Sequence, residues 1–246
     1  MPPHPSELGA KTRAGARDSH PDSGAGAVLA LLLADGRFPA GGHAHSGGVE
    51  AAVAAGRVVD VDDLAAFLTG RLATAGVVAA SLAAAAAAHP GEEAGRLLDG
   101  EADARCASPA LRQASRQQGR QLLRAGAAAV GDRLPGWLSM VAGGPHHPVA
   151  LGALAGAAGI GAEGAARVVA YGSVAGPAAA AVRLLALDPL AVAGIVAALG
   201  PAMEAVVARA AAAAQADFAD LPSCAGPRLD LDAEAHLTME VRLFAS

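Results

Sequence analysis

Two histidines one residue apart, His43 and His45, sit in a glycine-rich stretch reading DGRFPAGGHAHSGGVE. On an extended backbone such a pair shares one face and can chelate a single transition metal. In a chain of eight histidines the pair is also compatible with chance. A second pair, His146 and His147, stands before Pro148. Proline holds the preceding backbone extended, which turns the two rings apart, so one metal does not easily take both. These four histidines outline a small metal-dependent enzyme, but no Asp or Glu stands beside them in the sequence to serve as its base. There is no glycine-rich loop ending in Lys-Ser or Lys-Thr to cradle a nucleotide, no HExxH, no CxxC and no GxSxG.

Arg112, Arg116, Arg120 and Arg124 recur every four residues. On a helix of 3.6 residues per turn each step drifts by ~40°, which draws a slanting basic stripe. The stripe reads either as a solvated face or as a docking face for an acidic partner.

The elements that must position these groups are helical. The chain has 246 residues, 53% hydrophobic but only 2% aromatic, so its core is built from Ala, Leu, Val and Gly. Alanine is the strongest helix former, and small side chains let helices approach closely. The expected fold is all-α, a single compact helical domain of about 8–10 helices at ordinary lengths. Residues 1–24 read as a disordered leader, 25–221 as the helical domain and 222–246 as a mobile C-terminal tail. A net charge of −5 provides no overall basic field for nucleic acid. Cys106 and Cys224 suit small apolar fillers in a reducing cytosol. The uncharged run from Leu72 to Ala88 falls short of the ~20 strongly apolar residues of a membrane span and reads as a buried helix.

Local signals place the helix ends. Asp60, Ser108 before Pro109, and Asp188 before Pro189 are N-cap candidates, and Pro90-Gly91 ends the helix that Asp60 starts. Ser46 reads as a further cap, ahead of a short helix whose first turns hold Glu50. Breaks are expected near Asp99-Gly100 and Gly176-Pro177, and a kink at Gly200-Pro201. Arg71 is the polar exception on an otherwise apolar stripe, and Trp137 reads as a buried anchor.

The positions Asp35, Pro39, Gly41, Ser46, Gly48 and Glu50 resemble the N-terminal signature of the urease accessory proteins of the UreF family. Further likeness lies in Arg112, Ser115, Gly119 and Arg120, in His147, Pro148, Val149 and Gly152, and in the run from Ala180 to Leu184. The C-terminus, with His236 and Arg242, Leu243, Phe244 and Ser246, is similar to the family's ending, although Ala235 and Glu240 replace an arginine and a tyrosine. Residues 185–194 diverge from the family pattern.

The resemblance implies a non-enzymatic adaptor in the cytoplasmic delivery of nickel to apo-urease. It would link a UreD/UreH-type accessory protein to the GTPase UreG, with an influence on that GTPase and a homodimeric habit. Nickel and GTP would then belong to the complex, leaving this chain with no cofactor of its own. The residues expected to meet partners are Asp35, Phe38, Pro39, Gly41, Gly42, Ser46, Gly48 and Glu50 of the loop, Arg112, Arg116 and Arg120 of the stripe, and the tip Arg242, Leu243 and Phe244. In this reading Gly42 and Gly48 matter because a side chain would block close approach or a positive φ. The tip serves binding and not stability. Many relatives carry aromatic residues at positions 43 and 45, which argues against metal ligation there.

Overall fold

A run of alanines lies at the centre of the molecule. Ala83, Ala84, Ala85 and Ala86 are almost wholly enclosed, and a side chain at Gly152 on a facing helix would collide with the backbone carbonyl of Ala83. Helices therefore pack here nearly backbone to backbone, as small residues permit. The computed structural model describes residues 23–224 and 226–245. Most of the leader, residues 1–22, lies outside the described residues, while Ser23 and Gly24 already belong to the first helix.

In chain order the helices are α1 (Ser23–Ala34), α2 (Val49–Ala54), α3 (Val61–Arg71), α4 (Val77–Ala88), α5 (Glu92–Ala104), α6 (Pro109–Val130), α7 (His147–Ala157), α8 (Gly161–Leu185), α9 (Pro189–Ala198), α10 (Gly200–Ala213) and α11 (Pro227–Leu237). A π-helical turn, Leu72–Gly76, joins α3 to α4 without interruption. Counted as the single helix it forms, Val61–Ala88 brings the total to ten among the described residues. The fold is all-α: among those residues the only β-type contact is a single parallel bridge between His45 and Ala245.

Helix α4 is the hub, packed on α7, α8 and α10, while α6 lies against α7, and α11 bridges α6 and α2. Leu64, Leu68 and Leu72 form the apolar edge of the long helix. Trp137 is buried as expected, seated where α5 presents Gly95. By length and composition alone Val61–Ala88 and Gly161–Leu185 would suffice to cross a membrane, but 61% and 44% of their apolar windows are buried inside the protein.

The caps form where expected. Asp60 accepts from Asp63 N, Ser108 from Leu111 N and Asp188 from Leu190 N. Glycine and proline break less than their propensities suggest. Helix α5 runs through Asp99-Gly100, and α8 through Gly176-Pro177. At Gly200-Pro201 the chain does bend, by 42° between α9 and α10. Ser46 is not the cap of α2. Gly48 takes that place with φ +90°, and the Ser46 hydroxyl is buried without a hydrogen-bond partner.

The C-terminal segment holds more structure than a tail. It contains α11, and Phe244 enters the same apolar core as Phe38 and Val49.

Candidate functional site

The loop 35–48 is shaped by its backbone. The Asp35 carboxylate receives Arg37 N and its guanidinium, and the Arg37 side chain holds it down to about 2. Phe38 N returns to Asp35 O, which turns the ring into the core while Pro39 stays exposed. Gly41 has φ +77°, and a Cβ there would run into the Gln121 side chain on α6. A single 3₁₀ turn, Gly42–Ala44, follows. Gly42 is exposed, its φ is not in the left-handed range, and a Cβ would meet nothing within 4 Å. The steric demand expected at Gly42 falls on Gly41 instead, while Gly48 keeps its own.

Glu50 closes the site. Its carboxylate, 4% exposed, accepts His236 Nε2 at 2.7 Å, Leu243 N at 2.6 Å and Phe244 N at 3.1 Å. The loop backbone completes the junction: Ala245 N donates to Ala44 O, and Ser46 N donates to Ala245 O. Arg183, from α8, donates to His43 O and lies 4.4 Å over the Phe244 ring. Three segments that are far apart in sequence thus meet on one surface. Glu50 is more than a charge favourable to the helix dipole, and residues 242–245 are structural as well as exposed. Truncating them would strip two amides from a buried carboxylate and take Phe244 out of the core, so the expectation that they contribute little to stability is corrected.

A second junction joins α5, α6 and the start of α7. Ser115 Oγ accepts from His147 N and lies 3.0 Å from His146 Nδ1, while His146 Nε2 reaches Asp103 at 2.9 Å. Arg116 bridges Asp99 at 2.9 Å, Asp103 at 2.6 Å and Gly144 O at 2.6 Å, and Asp99 also accepts His146 N. Burial pulls Asp103 upward, but hydrogen bonds from His146 and Arg116 outweigh it and leave the carboxyl below its usual range. Gly119 fits under the Pro145 carbonyl. This bonding lets α5 continue past Gly100. It also occupies much of the basic stripe: Arg112 caps Cys106 O and Ala107 O, and Arg120 bonds Gly143 O. Arg112, Arg116 and Arg120 brace their own chain, and the spacing that drew them as one stripe contained no sign of these acceptors.

The histidines are dispersed. The 3₁₀ turn removes the extended geometry that His43 and His45 need to share a face, leaving His43 exposed and His45 buried. His147 lies near His45, and burial first, then that neighbour, pushes His147 down to about 4. Among the described residues no group of three or more His, Cys, Asp or Glu could hold a metal ion. Burial, then Asp230, raises the Cys106 thiol to about 11, which keeps it protonated and unreactive.

A helical scaffold whose most elaborated feature is a surface assembled from distant segments has the profile of an accessory protein. The UreF family model matches residues 58–200. The chain is 46% identical over 219 residues to the urease accessory protein UreF of Mycolicibacterium vanbaalenii, covering 88% of this chain and 97% of that protein. It is 45% identical to that of Mycobacterium sp. over the same shares, and 42% to that of Mycobacterium tuberculosis over 89% and 98%. The chain belongs to the UreF family of urease accessory proteins. The family model stops short of both the loop and the C-terminus, so their junction through Glu50 is a feature that the structure adds.

Proposed function

We propose that this protein is the adaptor of a urease-maturation complex, joining a UreD/UreH-type accessory protein to the GTPase UreG on apo-urease in the cytoplasm. The observation that carries this reading is the junction at Glu50, which fixes the loop and the C-terminal tip as one rigid patch. Its exposed members are Pro39, Gly42, Arg242 and Leu243, and Leu243 is 70% exposed although apolar. A preorganised apolar and basic patch binds with little ordering cost, and a protruding leucine supplies an anchor. Asp35, Phe38, Gly41, Ser46, Gly48, Glu50 and Phe244 act beneath this patch by holding its shape. Nickel and GTP are handled by the complex, with His43 and His45 outside any ligand set, and modulation of the GTPase follows from docking and not from chemistry in this chain.

The exposed apolar residues of α1, Val28, Leu31 and Leu32, support a homodimer through that side of the bundle. Co-expression with the two accessory partners tests the adaptor reading. Recovery of a complex containing this chain, a UreD/UreH-type protein and UreG is expected. Failure to recover either partner while the chain stays soluble would overturn it.

A further inference from the structure

Arg71 resolves into two halves with different environments. Pro177 lies inside α8 and has no N–H, so the carbonyl of Ser173, four residues earlier, loses its helical donor. Arg71 Nε supplies that hydrogen bond at 3.1 Å. This accounts for one of the five guanidinium donors. The terminal nitrogens make no hydrogen bond or ion pair to any described residue, and burial alone sets the balance of the group, with no acid contributing. Arg71, itself half-buried, lines a partly open cleft of about 250 Å³ walled by the long helix Val61–Ala88, the loop at Gly47, α6 and α11. The other guanidinium on its wall, Arg105, is committed to Glu101 and to the carbonyls of Phe218, Ala219, Leu221 and Pro222. Asp230, the acid on the wall, receives Ser108 N.

We propose that this cleft binds a small planar oxyanion of the carboxylate class, held bidentate by the terminal nitrogens of Arg71. A guanidinium fork matches the two oxygens of a carboxylate, and the match is strongest away from bulk water. The volume lies below the usual range for drug-sized ligands and suits a formate- or acetate-sized ion. Two features position the group. The π turn at Leu72–Gly76, an uncommon element often found at functional sites, begins immediately after Arg71. Gly47, at φ +61°, lets the loop pass so close that a Cβ would sit 3.2 Å from the guanidinium carbon. A bound anion would therefore brace the loop from beneath. This inference is independent of which partners the loop meets.

The test is isothermal titration of the full-length purified chain with sodium formate, against sodium chloride at equal ionic strength. Saturable binding of formate, absent with chloride, is expected. Arg71→Gln should weaken it at least tenfold. Ala114→Leu, which adds bulk at a lining position on α6 and leaves Arg71 intact, should do the same, and covers the case in which the arginine variant fails to fold. No saturable binding to the native chain, undiminished binding in Arg71→Gln, or undiminished binding in Ala114→Leu would each overturn the assignment.

Discussion

Replacing Glu50 with alanine should loosen the two ends of the chain from each other. The substitution leaves His236 Nε2 and the amides of Leu243 and Phe244 facing a cavity where a carboxylate, 5% exposed at its side chain, had accepted all three. Hydrogen bonds to a charged group are individually worth ~1.5–3 kcal/mol, but the three share one acceptor and do not add. The cost of removing one member of a buried polar set, about 3–5 kcal/mol, is the better guide. At ~2–4 °C per kcal/mol for a chain of this size, the melting temperature should fall by about 6–20 °C. Glu50→Gln keeps one carbonyl acceptor and should lose less. Thermal denaturation gives the stability, and hydrogen exchange at the amides of Leu243 and Phe244 reports the junction itself. In a double-mutant cycle, truncation after Val241 and Glu50→Ala should be sub-additive, because both remove the bonds from the Leu243 and Phe244 amides to Glu50, although truncation also takes the Phe244 ring from the core. A loss below ~1 kcal/mol with both amides still protected, or full additivity, would refute the reasoning.

Gly48→Val, which forces a β-branched residue to φ +90° beneath Leu229, should destabilise by ~1–3 kcal/mol, whereas Gly42→Val should leave the melting temperature within about 1 °C. Equal effects in denaturation would contradict the backbone account of the loop. His147, whose ring is held near 4 in the fold against an ordinary 6.5, stays neutral while the unfolded chain takes up a proton. Its contribution is therefore complete above pH ~6.5 and is lost as the pH falls toward ~4, by at most about 3 kcal/mol. His147→Gln should flatten this limb in denaturation at stepped pH, and an unchanged slope would refute it. The paired substitution of His43 by Phe and His45 by Tyr should preserve urease activation in nickel-supplied cells, and a soluble but inactive variant would move the chemistry to these rings.

What was legible in the chain was local. Asp60, Ser108 and Asp188 cap helices because their side chains reach backbone amides two or three residues away, a distance sequence spacing expresses directly. The alanine content foretold close helix packing, and Gly48 its left-handed backbone. What escaped depended on partners far along the chain. Gly100 is tolerated in α5 because Asp99 holds His146 N and Arg116, an offset that a helix propensity of ~1 kcal/mol cannot reveal. Pro177 does not break α8 because Arg71, more than a hundred residues earlier, meets the orphaned carbonyl. Glu50 looked like a first-turn acid, and nothing near it announced contacts 186 to 194 positions away. The arginine stripe had the periodicity of a surface, but the acceptors of Arg116 and Arg120 lie in the 131–146 connector and on α5.

The central claim is that the loop and the C-terminal tip form one rigid surface that binds a maturation partner. Leu243 allows it to be tested apart from folding, because its side chain is exposed while its amide is held by Glu50. The measurement is pull-down of a co-expressed UreD/UreH-type protein by the Leu243→Asp variant, with its melting temperature recorded alongside. The account predicts a loss of capture of at least tenfold with the melting temperature within about 1–2 °C of the native chain, as for a surface substitution. Undiminished capture by a stably folded Leu243→Asp variant would contradict it.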